Sequence, residues 1–328
     1  MSKKMFKFRR LAKAEGLPCR FRLSHLAAVA LLLALPGSVV SQRLPPSARV
    51  APHGEWFALQ RPPQVELAEQ ESLRGALAAL KPQRPNVVDA YVVVAALNSD
   101  PVFGREAREA GRVLSRRFDA EGRTIVLADG EGEDQPAAPG SPDALTQALQ
   151  RVGQLADRQQ DVVIVYTTSH GSAEGGLEYR DQQRGFGRIR PERLATMLEG
   201  SGMTNRLVIL SACYSGVFIP RLASGTSVVI TAAASDRPSF GCSPGNDWTY
   251  FGDAFVNREM RKPQPLGAAF AEARRLVSQW EARTRLPNSN PQMSVGTEAA
   301  RWLAPLERRS PARPTRPVGR SPADGGAR

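Results

Sequence analysis

A chain of 328 residues, 41% hydrophobic and 23% charged, is long enough to bury one sizeable α/β core and too apolar to stay disordered throughout. Its net charge of +12 resides at the ends: residues 1–43 hold nine Lys/Arg against Glu15, residues 305–328 hold six Arg against Glu307 and Asp324, and residues 44–304 carry 29 basic and 29 acidic side chains. A neutral body with basic ends lacks the clustered basic face of a nucleic-acid binder, and three cysteines (Cys19, Cys213, Cys242) exclude a disulfide-stapled fold, although one Cys213–Cys242 bridge is chemically possible.

Residues 1–41 form a basic arm, Lys3 to Arg22, followed by the apolar run Leu26 to Leu35 and Pro36-Gly37-Ser38. This is the pattern of a secretory signal peptide cut near Ser41, or of a short signal anchor if retained. The expected location is therefore outside the cytoplasm, on the periplasmic side of the membrane, either anchored through the N-terminal segment or released. Residues 42–64, with five prolines, read as an extended linker with an anchoring patch at Trp56-Phe57.

The folded domain is expected over residues 65–304. A helical pattern runs from Val65 to Leu80, and the β-prone run 87–94 is the first buried strand. A helix from Arg105 to Phe118 and a strand at Thr124–Leu127 follow, then a loop over 129–140. The helix Pro142–Ala156 has Ser141 as N-cap and proline at its first position. After the strand Val162–Tyr166 and a polar insert come a short helix Pro191–Leu198, strands at Leu207–Leu210 and Val228–Ile230, and a long helix Gly267–Arg283. Continuous apolar strands alternating with helices predict an α/β, three-layer sandwich with a mainly parallel central sheet. The Arg/Pro-rich tail 305–328 is expected to be disordered.

Two strand ends carry chemistry. Strand 162–166 runs into Thr167-Thr168-Ser169-His170-Gly171-Ser172, and strand 207–210 into Ser211-Ala212-Cys213-Tyr214-Ser215-Gly216. Sites in open α/β sheets form beyond the carboxyl ends of strands, so neighbouring strands would bring His170 and Cys213 out side by side. A thiol needs a nearby imidazole to become a competent nucleophile, and the amides of Gly171 and Cys213 are candidates for an oxyanion hole. His25 and His53 lie in the signal and the linker, so His170 is the one histidine of the folded domain. One His and two Cys are too few for a zinc site, and no G-x-S-x-G follows a strand. No metal or cofactor is implied.

The segments VVIVYTTSHGS and LVILSACYSG resemble the His-Gly and Ala-Cys blocks of the C13 (legumain-like) cysteine peptidases of the caspase-like clan. VVITAAASDRPSFGC…DWTYFGDAF is similar to that family's continuation, and SNPQMSVG to the closing block of its bacterial members. The resemblance spans about residues 87–296. It implies a caspase-like fold and a cysteine-type endopeptidase acting on protein or peptide substrates, with catalytic residues His170 and Cys213 and Gly171 at the oxyanion position. It also implies a specificity pocket for Asn or Asp in which Arg105, Ser211 and Asp253 occupy the substrate-binding positions. A surface ion pair is the competing reading for Arg105 and Asp253. Ser211 replaces an acidic family residue, which weakens selection for an amide. Phe103 stands where the family has its third catalytic residue, an Asn, with Asn98 a nearby substitute, and Ser169 replaces an Asp. The same dyad could also transfer the acyl group to an amine as a transpeptidase, and the fold without activity would be a membrane-tethered binding module.

Overall fold

The computed structural model describes residues 48–50, 55–129 and 138–325, all within one compact unit, Leu44–Arg328. The signal peptide or anchor expected over residues 1–41 lies outside the described residues. No helix among those described is long and apolar enough to cross a membrane.

In chain order the elements are β1 (Ala48–Val50), β2 (Trp56–Leu59), α1 (Pro63–Ala78), β3 (Ala90–Ala96), α2 (Pro101–Arg117), β4 (Thr124–Leu127), α3 (Pro142–Leu155), β5 (Val162–Thr168), β6 (Gly171–Ser172), β7 (Gly176–Asp181), β8 (Gly185–Ile189), α4 (Pro191–Gly200), β9 (Asn205–Ser211), α5 (Ile219–Leu222), β10 (Ser227–Thr231), a π-helix (Gly252–Glu259), α6 (Leu266–Arg283), β11 (Gln292–Val295) and α7 (Ala300–Arg308). The central sheet has the order β11-β10-β9-β5-β3-β4. Every pairing in it is parallel except that of the edge strand β11.

All seven residues of β3 and of β5 are buried, because both faces of this sheet are covered. One face packs alternate strand residues such as Val92, Ile164 and Ile209 against α2, the π-helix, α6 and α7. The other packs Val93, Val165 and Val208 against α1, α3 and α4. The result is the expected three-layer, mainly parallel sandwich of caspase-like kind. Helix α3 begins as its sequence dictates: the Ser141 hydroxyl accepts the Ala144 amide at 3.1 Å and Pro142 takes the first position.

A second, antiparallel sheet of order β1-β2-β8-β7-β6 lies outside the expected topology. It recruits residues 56–59 from the stretch read as linker, and Trp56 is only 2% exposed there. Gly187 makes that pairing possible, since a methyl group on it would sit 2.4 Å from the Trp56 Cα. Arg184, between β7 and β8, bonds Glu69 of α1, Asp129 beyond β4 and Asp181 of β7, which ties the insert to the main body.

The tail differs from expectation as well. Beyond α7 it has little regular structure, yet it is pinned: the Trp248 indole donates to Val318 O at 2.9 Å, Val318 N to Asn257 Oδ1 at 2.9 Å, and the Ser321 hydroxyl to Asp253 Oδ2 at 2.6 Å. Composition argued for disorder, but these buried polar groups need partners and the tail supplies them. Deleting residues 311–328 is therefore expected to destabilise the domain by about 2–4 kcal/mol, the cost of orphaning such groups, measured as a loss in the urea midpoint.

Candidate active site

Strand register sets the site. Ala96 of β3 pairs with Thr168 of β5, and Thr168 pairs with Ser211 of β9. Asn98, His170 and Cys213 therefore each lie two residues beyond one row, on strands spaced about 4.8 Å apart. The row continues past the sheet: Leu97 N donates to Thr168 O at 3.0 Å and Ser169 N to Ser211 O at 3.2 Å. His170 O accepts from Glu178 N of β7 at 3.0 Å, which holds the histidine backbone against the second sheet.

Gly171 fills the gap between the two strand ends. A methyl group there would lie 2.3 Å from Cys213 O and 3.3 Å from Ala212 Cβ, so only glycine fits. After Cys213 the chain turns sharply, with Tyr214 at φ 56° in the left-handed region, a conformation that costs a non-glycine residue about 1–2 kcal/mol. Tyr214 N is held by Arg237 O at 2.8 Å and the Ser215 hydroxyl accepts Ala233 N at 3.2 Å. This bracing keeps the cysteine at the apex of the turn.

The Cys213 sulfur is partly buried and clasped by the backbone of one residue: Ser239 N donates to it and it donates to Ser239 O, both at 3.2 Å. Burial pushes the thiol up, partly opposed by the Ser239 backbone hydrogen bond, with Cys242 raising it further. His170 bonds the half-exposed Asp100 carboxylate through Nε2 at 3.0 Å. Its ring meets Phe103 edge-on, with centroids 5.0 Å apart and planes at 87°. Cys242 is the largest influence on the imidazole; against the opposing effect of burial, Cys242 and Asp100 together raise its pKa to about 9. No hydrogen bond links His170 to Cys213 among the described residues, and Cys213 and Cys242 are both free thiols.

The three residues assigned to a specificity pocket do not converge. Arg105 pairs with Asp247 at 2.7 Å and donates to Pro244 O and Asn246 O. Ser211 is 2% exposed and its hydroxyl meets that of Thr249 at 3.1 Å. Asp253 corrects the expectation: it is fully buried, and its oxygens are taken by Asn257 at 2.6 Å, Arg258 at 3.1 Å and Ser321 at 2.6 Å. The π-helix that carries it, wound wider than an α-helix, turns its side chain beneath the tail and away from any surface a substrate reaches.

Several site residues escaped the sequence reading. Asp100 was passed over because α2 starts at Pro101 rather than Arg105; Asp-Pro at a strand end was the available signal. Glu106, fully buried, accepts from Tyr166 OH at 2.6 Å and Thr249 N at 2.7 Å just beneath the row. Ser239 and Cys242 lie in a loop without regular structure and gave no signal beyond the count of cysteines.

A mainly parallel sandwich whose adjacent strand ends present a thiol and an imidazole is an architecture of cysteine peptidases in the caspase-like class. Residues 140–299, the segment that carries His170, Gly171 and Cys213, match the Peptidase C13 family. None of the curated proteins compared matches the chain.

Proposed function

We propose that the protein is a cysteine-type endopeptidase that hydrolyses peptide bonds after Asn or Asp with Cys213 as nucleophile and His170 as its proton carrier. The observation that carries this reading is the Thr168–Ser211 register, which sets the two residues at equivalent positions beyond neighbouring strands. Substrate entry breaks the Ser239 clasp, and the freed sulfur attacks the scissile carbonyl as His170 takes its proton. The Gly171 and Cys213 amides receive the developing oxyanion. His170 returns the proton to the leaving amine, and water then cleaves the thioester. Arg105 presents a guanidinium suited to a side-chain carboxylate or amide. The basic N-terminal arm and the apolar run after it favour action outside the cytoplasm, on the periplasmic side.

The influence of Cys242 on the imidazole, whose pKa it raises most, supports a second assignment on the same site, in which Cys242 is the thiol that His170 activates. Assaying Cys213→Ala and Cys242→Ala beside wild type on Asn- and Asp-containing peptides separates the two. Cys213→Ala is expected to lose at least about 10³-fold in kcat, as removal of a nucleophile does, with Cys242→Ala still active. Wild-type cleavage by Cys213→Ala would overturn the assignment.

A further inference from the structure

Asp100 occupies the N-cap of α2 with extended backbone, φ −62° and ψ 131°, yet its side chain makes no capping bond. Aspartate is among the preferred N-cap residues because its carboxylate ordinarily accepts an amide of the first turn. Here the Phe103 amide bonds the Asp100 backbone carbonyl instead, at 3.0 Å, and the carboxylate points to His170 Nε2 at 3.0 Å. The backbone behind it is fixed: Asp100 N donates to Asn98 Oδ1 at 3.0 Å, and Ser99 N to Arg180 O at 2.9 Å. Asn98 is 5% exposed, so this support is built into the strand end. Phe103, one turn beyond Asp100 on the same helix face and 1% exposed, lays its ring against the imidazole. A single helical turn therefore constrains both the plane of the His170 ring and one of its nitrogens.

A carboxylate can only accept, so the Nε2 facing it carries the hydrogen. In the neutral imidazole the lone pair then falls on Nδ1, the nitrogen left for a thiol. We propose that Asp100 is the positioning residue of this site, holding His170 as the Nε2–H tautomer so that Nδ1 takes the proton of the nucleophile. It does for the imidazole what Phe103, in the family's Asn position, cannot do. The inference rests on His170 as the proton carrier, and it concerns the ring's orientation rather than the identity of the nucleophile.

The groups that act on the ring are Asp100 and Phe103 from the first turn of α2 and Cys242 from the loop after β10; Arg105 of α2 is engaged by Asp247. Asp100 and Cys242 both favour the imidazolium. A base must be neutral to accept a proton, so kcat/KM is expected to rise with pH through about 9, and loss of Asp100 should move that rise to lower pH while lowering the plateau.

The test reads the ring directly, by nitrogen-15 NMR of His170 in the Cys213→Ala protein, where turnover plays no part. With Asp100 present, the Nε2–H tautomer should dominate above the titration midpoint. Asp100→Ala should give mixed tautomers and a midpoint lower by roughly 0.5–1 unit, the scale of removing one partly solvated charge. Asp100→Asn, nearly isosteric and itself a good N-cap, guards against loss of the fold and should lower the midpoint likewise. In active enzyme, Asp100→Ala should lower kcat by at least about 10-fold with KM little changed, and Asp100→Glu should recover part of it. An unchanged tautomer and midpoint in both Asp100→Ala and Asp100→Asn would overturn the proposal. Failure of the peptidase reading would show separately, as no cleavage of Asn- or Asp-containing peptides by the wild-type protein.

Discussion

Gly171→Ala is expected to lower kcat by about 10²–10³-fold, the usual effect of losing one oxyanion donor. The added methyl would meet Cys213 O at 2.3 Å, and neither side can yield cheaply. Gly171 is tied to Leu177 in the β6–β7 pairing, and Cys213 is followed by the braced left-handed turn at Tyr214. Relief must therefore separate the two strand ends, which moves the Gly171 amide from the oxyanion position and shifts His170 with it. Overpacking of this kind costs about 1–3 kcal/mol of stability, too little to unfold a typical domain. Rates measured at saturating peptide, together with a thermal melt, distinguish the two effects, and a variant with full kcat would exclude Gly171 from the machinery.

Glu106→Ala should carry the largest stability penalty of any single change near the site, about 3–5 kcal/mol. The Glu106 side chain is fully buried and satisfies the Tyr166 hydroxyl and the Thr249 amide. Burial and the neighbouring Glu106 hold the Tyr166 phenol well above its ordinary pKa, so the hydroxyl remains a donor that needs an acceptor. Truncation orphans both donors and leaves a cavity. The disturbance spreads, because the Thr249 hydroxyl also meets Ser211 in the row that aligns His170 with Cys213. Urea unfolding of the variant checks the figure; a loss below about 1 kcal/mol would mean that water or rearrangement supplies the missing partner.

The central sheet was legible because strands buried on both faces read as unbroken apolar runs, as in residues 162–166 and 207–210. The second sheet was not. Its strands are short, β7 and β8 mix glycines with charged residues, and β2 hides among prolines, so no local period marks them. The placement of His170 and Cys213 beyond neighbouring strand ends could be read because each follows such a run. Asp100 could not, since its bond to His170 depends on β3 lying beside β5 and on α2 beginning at Pro101. Asp253 misled because its chemistry matched while its placement depended on a π-helix, which side-chain pattern does not reveal.

The Ser239 clasp makes the charge state of the nucleophile mechanically visible. The backbone of a single residue, Ser239, serves a protonated sulfur from both sides of its Cα, its carbonyl receiving the S–H and its amide supplying a hydrogen in return. An anionic sulfur welcomes the amide and repels the carbonyl dipole, so ionisation splits a contact that protonation had closed. Ionisation of Cys213 would therefore favour a shift of the Ser239 backbone that keeps the amide on the sulfur and turns the carbonyl away.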